Sequence, residues 1–139
     1  MSQNNLIFPL VLAYHPEIKG GRKWEVMREI RYEMYFKGSG IWVVIPKGYM
    51  TDLASVPFPF SMLFPKSGKW NHAAVVHDYL CEHCQDRFSQ HDIDLAFSDI
   101  MKLVGVNSFK RTIAYRAVKR AQQLKAIAQG RVYSLPTPK

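Results

Sequence analysis

"SQHDIDLAFSDIMKLVG", residues 89–105, is the stretch on which the fold turns. Ser89 followed three places later by Asp92 is a capping pattern that opens a helix. Ile93, Ala96, Phe97, Ile100 and Val104 then recur at helical spacing as one apolar stripe, and Gly105 closes it. Asp94 falls at the border of that stripe beside Phe97 and Met101, a place where a carboxylate is partly desolvated. A helix with one apolar stripe needs partners to cover it, and both flanks supply them.

Immediately upstream, "WNHAAVVHDYLCEHC" (70–84) reads as a helix from about Asn71, with Asn71 as its candidate cap. The joint between the two helices, near Gln85 to Phe88, is short and predicts an antiparallel hairpin. Downstream, a third helix begins after Asn107 and places Ile113, Ala114, Ala117, Val118, Ala121 and Leu124 inside. Its other side carries Lys110, Arg111, Arg116, Lys119, Arg120 and Lys125.

The first part of the chain changes period. In "WEVMREIRYEM" (24–34) Trp24, Val26, Ile30, Tyr32 and Met34 fall on one side, and Glu25, Glu29, Arg31 and Glu33 on the other. That is a half-buried strand with Arg28 as its one violation. "KGSG" (37–40) is a turn, and "IWVVI" (41–45), apolar on both faces, reads as a central or covered strand. "LIFPLVLAY" (6–14) is an earlier strand, marked as an edge by Pro9. The expectation is a single α+β domain: a small N-terminal antiparallel β-sheet followed by about three packed α-helices. Its parts are a sheet-forming region 6–50, a TDLASVP and aromatic loop 51–70, a helical part 71–125 and an irregular tail 126–139.

Composition fits one such domain. The chain has 139 residues, 47% apolar and 13% aromatic, enough for one core and too few for two. No apolar run reaches the length of a membrane span, and "NNLIFPLVLAYH" lacks the basic leader of a signal peptide. The chain reads as cytosolic, or as part of something assembled in a cytosol. Cys81 and Cys84 suit a reduced compartment. The net charge of +8 is unevenly placed: residues 1–99 hold ten Lys/Arg against eleven Asp/Glu, whereas 100–139 hold nine Lys/Arg and no acid. An acidic partner, nucleic acid included, is expected on that basic face, at Lys110, Arg111, Arg116, Lys119 and Arg120; a solvated face that serves solubility is the plainer alternative.

Chemistry concentrates where the first helix meets its neighbours. Folding the hairpin about position 86 brings His77 level with Asp94. A carboxylate facing an imidazole across two helices fixes its tautomer and leaves the other nitrogen free. Asp78, turned about 100° away, meets the "TDLASVP" loop (51–57) through Asp52 or Ser55. The same residues also suit a satisfied structural bridge. For zinc, "CEHC" (81–84) with His77, His83 and His91 offers soft ligands, yet the second cysteine pair of a structural site is missing. "FPFSMLFP" (58–65) carries Phe58, Phe60, Leu63 and Phe64, which either cover the end of the sheet or form an apolar interface.

Together, "IPKGYMTDLASVPFPF", "AAVVHDYL", the following "D…F" helix and "AYRAVKR" resemble, in order and spacing, the phage and prophage domain of unknown function family 1353, over roughly residues 24 to 123. Thr51, Asp52, Ser55, Pro57, His77, Asp78 and Asp94 take the family's motif positions. Gln90 stands where an arginine often precedes the last aspartate, and Arg87 is the nearest substitute. The resemblance implies a bacteriophage origin and a compact α+β domain, and no assigned activity. A looser likeness is to the phospholipase A2 helix pair, which also sets a His-Asp dipeptide against an Asp on the next helix. This chain has no glycine-rich calcium loop, so the likeness is one of device.

Two functional expectations follow. In the first the protein is a phage hydrolase, with His77 as general base, Asp94 as its orienter, Asp78 and Asp52 as a divalent-cation site and Ser55 as a nucleophile. In the second it is a virion or assembly component, a tail, neck or baseplate module, in which the His-Asp network is structural, "FPFSMLFP" is an interface and the basic helix docks an acidic partner or DNA. The first places it in the host cytoplasm, the second in the particle among other virion proteins.

Overall fold

The fold was read from a computed structural model, which describes residues 9–53, 70–128 and 130. Strands β1 (Leu12–Tyr14), β2 (Trp24–Val26) and β5 (Met50–Thr51) make a three-stranded antiparallel sheet in the order β1-β2-β5. Strands β3 (Ile30–Glu33) and β4 (Trp42–Ile45) pair antiparallel in a second, two-stranded sheet, with Tyr32 opposite Val43. Helices α1 (Asn71–His83), α2 (Gln90–Leu103) and α3 (Ser108–Ala128) follow. The antiparallel strands therefore come first and the three helices after, in one α+β domain.

The alternation in residues 24–34 is kept: Val26, Ile30, Tyr32 and Met34 are all buried. The stretch is nevertheless not one strand. It leaves its ladder at Met27–Glu29 and resumes in the second sheet. Arg28 accounts for the break, since a continuous strand would aim its charge into the core, whereas in the bend it is exposed. Glu33, expected outside, is 5% exposed. Its two carboxylate oxygens accept the backbone N–H groups of Gly38 and Gly40, each at 2.8 Å, and so organise the β3–β4 turn.

β4 is not covered on both faces as its sequence suggests. Val43 and Ile45 are buried while Trp42 and Val44 stand exposed, because β4 pairs with β3 alone among the described residues. Tyr35, at φ +72°, follows β3. A left-handed aromatic residue is strained by about 1–3 kcal/mol. Its hydroxyl donates to Asp92 on α2 at 3.0 Å and its ring meets Phe88 edge-on, which ties the hairpin to the helices.

Trp70, not Asn71, occupies the cap position of α1, and no side chain bonds the helix start there. Packing decides this boundary: Trp70 is buried, with its ring 6.4 Å from Phe97. In α2 the sequence signals hold. The Ser89 hydroxyl accepts the Asp92 N–H at 3.1 Å. At the other end Gly105 N–H bonds Lys102 O and Val106 N–H bonds Met101 O, with Gly105 at φ +88°. That paired closure needs a left-handed residue, which glycine adopts without a Cβ clash. Ser89→Ala is expected to lower stability by about 1 kcal/mol, measurable as a shifted urea midpoint with an unchanged slope.

Asn107 caps α3 by accepting the Lys110 N–H at 2.9 Å. Ala114, Ala117 and Val118 are buried, as the pattern predicts, but Leu124 is 51% exposed. The reason is length. At 1.5 Å per residue the 21-residue α3 overruns the 14-residue α2 beneath it by about 10 Å. The short α2–α3 joint makes the two antiparallel, so the end of α3 outruns its support. The helix also continues to Ala128, three residues beyond the expected helical part.

Candidate functional site

His77 and Asp78 are neighbours on α1 with different surroundings. The hairpin turn at Cys84–Ser89 returns α2 along α1, and the His77 Nε2–H donates to Asp94 Oδ1 at 2.8 Å. Asp94 Oδ1 accepts a second bond, from Gln90 Nε2 one turn earlier on α2, at 2.9 Å. Gln90 also reaches Cys81 Sγ at 3.4 Å and takes a bond from Gln85. Thus Gln90, where an arginine was expected from the motif, serves Asp94 as a neutral donor.

This network is sealed. His77 is 3% exposed, Asp94 0% and Gln90 6%. The Phe97 ring lies 5.2 Å from the imidazole. Cys81 Sγ is 3.8 Å from Nδ1 and 3.7 Å from Nε2, nearly equidistant from both nitrogens. The nitrogen left free by Asp94 therefore meets sulfur rather than an open position. Burial alone would lower the His77 pKa; Cys81 and the Asp94 carboxylate outweigh it and push the ring up to about 10. The pair is an imidazolium–carboxylate bridge.

Its pH dependence follows. The native state binds more protons than the unfolded chain between the unperturbed histidine value and the raised one. The stabilisation is complete below about pH 6.5 and is lost as pH rises toward about 10. Melting temperatures are expected to fall across that window, and His77→Leu is expected to flatten that alkaline limb.

Asp78 belongs to a second cluster that the sequence did not assemble. Arg22, in the loop between β1 and β2, forks onto its carboxylate, Nη1 to Oδ2 at 2.9 Å and Nη2 to Oδ1 at 3.2 Å. The same Nη1 lies 2.6 Å from Glu82 Oε2, 3.0 Å from the Tyr49 hydroxyl and 3.1 Å from Met50 O. Tyr49 in turn donates to Glu82 at 3.0 Å. Burial pushes the Asp78 carboxyl up, and Asp52 adds to this; hydrogen bonds from Thr51 and Tyr49 and the charge of Arg22 pull the other way. Burial, with Asp78 beside it, likewise raises the Tyr49 phenol.

The expected meeting of Asp78 with the TDLASVP loop thus occurs through Thr51, with Asp52 near in charge. Ser55, Pro57, Phe58, Phe60, Leu63 and Phe64 lie outside the described residues. Nothing in the sequence marked Arg22 as the partner of Asp78: it stands 56 residues away inside a basic loop. Tyr49 was legible only as part of the "IPKGYM" run that leads into the TDLASVP motif.

The cation expectations meet the same geometry. No group of three or more His, Cys, Asp or Glu side chains among the described residues is arranged to hold a metal ion. Both Asp78 oxygens face Arg22, and His77 Nε2 is engaged by Asp94. Cys84 is buried in the core, where burial raises its thiol and it packs as a small apolar group. On α3, Lys110, Arg116 and Arg120 are exposed, Arg111 bonds Val106 O at 3.2 Å, and Lys119 sits 5.8 Å from the Tyr115 ring. Phe109 and Ile127 stand out beside them, 71% and 72% exposed.

The model of the protein family of unknown function DUF1353 matches residues 24–118. The chain belongs to the DUF1353 family. The matched span contains β2 to β5, both intact helices of the hairpin and the part of α3 that buries Ala114, Ala117 and Val118. It includes His77, Asp78, Gln90 and Asp94 but stops short of Arg22, so the partner of Asp78 comes from outside the DUF1353 match. Neither a curated protein nor a solved structure matches the chain. No helix among the described residues is long and apolar enough to cross a membrane.

Proposed function

We propose that this chain is a bacteriophage-encoded virion or assembly component, a tail, neck or baseplate module, in which the His77–Asp94 network is a structural clasp. The observation that carries this reading is the sealing of the pair: a general base must reach substrate, and His77 is 3% exposed with its nitrogens turned to Asp94 and Cys81. Exposed apolar side chains at Trp42 and Val44 on β4, and Phe109 and Ile127 on α3, support an interaction role. The acid-free C-terminal segment favours an acidic neighbour or DNA. Quantitative mass spectrometry of gradient-purified particles is the test. The chain is expected at a fixed copy number relative to the other particle proteins; its confinement to the soluble lysate would overturn the assignment.

One observation favours the hydrolytic alternative. The Asp78 side chain is 12% exposed and carries a raised carboxyl near Asp52, so chemistry would centre on Asp78 with Asp52 rather than on His77. Thermal shift with calcium, magnesium and zinc separates the readings. The structural reading expects no ion-dependent rise in melting temperature, whereas a rise in wild type that vanishes in Asp78→Ala supports a cation-dependent enzyme.

A further inference from the structure

The β1–β2 hairpin carries its core face past the end of the core. Leu12 and Val26 pair on that face and pack on the core, and two residues on Tyr14 and Trp24 pair directly opposite each other. Tyr14 is 51% exposed. With Lys23, Gly20 and Gly21 from the connecting loop, the two rings line a cavity of about 470 Å³, within the ordinary range of small-ligand sites.

A hairpin-stabilising aromatic pair explains the rings but not the loop beside them. Gly20 needs its glycine, at φ +104°, whereas Gly21 has ordinary φ and a Cβ there would meet nothing within 4 Å. The fold does not require Gly21, and its bare backbone leaves the cavity wall open to hydrogen bonding. Charge is sorted as well. Glu17 and Glu25 both lie on His15, at 2.9 and 2.8 Å, and Arg22 turns away to Asp78. Lys23, the one charged side chain among the described residues that line the cavity, enters no ion pair among the described residues.

The ring geometry selects the ligand. The centroids are 4.9 Å apart and the planes tilt by 47°. At that separation the rings rest on each other and leave no slot between them for a flat base, so a ligand meets them from the cavity side, where aromatic surface suits the C–H bonds of a puckered ring. We propose that this cavity binds an acidic saccharide, its sugar ring against Tyr14 and Trp24, its carboxylate on Lys23 and its hydroxyls on the Gly20–Gly21 backbone. The site is independent of the assembly role and shares no residue with the His77 and Asp78 clusters.

The test is a titration of the 15N-labelled full chain with tetragalacturonate, with maltotetraose and AMP as comparators. Tetragalacturonate is expected to shift the Trp24 indole and Gly21 amide signals and to bind more tightly than either comparator. Lys23→Gln is expected to weaken it by about tenfold, and Gly21→Leu, which fills the cavity, to abolish it while the melting temperature stays at the wild-type value. Absence of shifts at Trp24 and Gly21, binding unchanged in either variant, or tighter binding of AMP would each overturn the proposal.

Discussion

His77→Ala is expected to destabilise the fold by about 3–5 kcal/mol, because it removes the cation that faces the Asp94 carboxylate, which is 0% exposed. For a chain of this length that corresponds to a fall of more than about 10 °C in melting temperature. Asp94→Ala, which strands the imidazolium instead, is expected to cost as much. The informative variant is the double replacement, His77→Leu with Asp94→Leu. A buried ion pair exchanged for apolar side chains of similar volume is often neutral, so the double variant should recover most of what either alanine loses. The cycle built from the single and double alanine variants should show a coupling of about 1–3 kcal/mol. Denaturant unfolding of wild type, the two single alanine variants, the double alanine variant and the double leucine variant measures all of this, and additive losses in the alanine cycle would mean that the two side chains do not hold each other.

Arg22→Ala is expected to cost about 2 kcal/mol, less than the His77 variant although Arg22 makes more bonds. The difference lies in water. The Arg22 side chain is 41% exposed and Glu82 39%, so solvent screens much of their attraction, while Asp78 at 12% has less relief. Asp78→Asn in the Arg22→Ala background is expected to restore part of the loss, since the burden left behind is a half-desolvated carboxylate beside Asp52. Chemical unfolding at 0.1 and 1 M salt checks the assignment: the wild-type advantage over Arg22→Ala should shrink at high salt, while the His77→Ala loss should hardly change.

Those contrasting pairs show where the sequence was sufficient. The register of His77 with Asp94 was legible because it depends on two helices, one short turn and a 3.6-residue period, all local quantities. The Ser89 cap and the Gly105 stop were legible for the same reason. Arg22 was not, because its approach to Asp78 depends on how the β1–β2 loop crosses to α1, and no periodicity reports a contact 56 residues apart. The break at Arg28 was visible as a violation, but a single charge does not say whether a strand tolerates it or bends. The exposure of Val44 and Trp42 was misread because an apolar run looks the same whether its strand is central or paired on one side only. Leu124 was misplaced because the inner stripe of α3 continues past the end of the helix it packs on. In each case the missing information was the extent of a neighbouring element rather than any property of the residue.

The same contrast bears on the motif as a whole. Histidine next to aspartate on a helix suggests paired chemistry, yet the two side chains serve separate structures, one sealing α1 to α2 and the other tying α1 to the β1–β2 loop, β5 and Tyr49. Gln90 completes the first and Arg22 the second. The helix is thereby fixed on two sides by charged contacts whose positions differ by one residue.

The most direct test of that account is an NMR titration of the His77 imidazole in the wild-type protein from pH 5.5 to 8. A sealed clasp predicts a ring protonated on both nitrogens throughout, with no titration in that range and slow exchange of its Nε2 proton with water. A ring that titrates near pH 6.5 and exchanges rapidly with solvent would contradict the clasp and return His77 to the position of a working base.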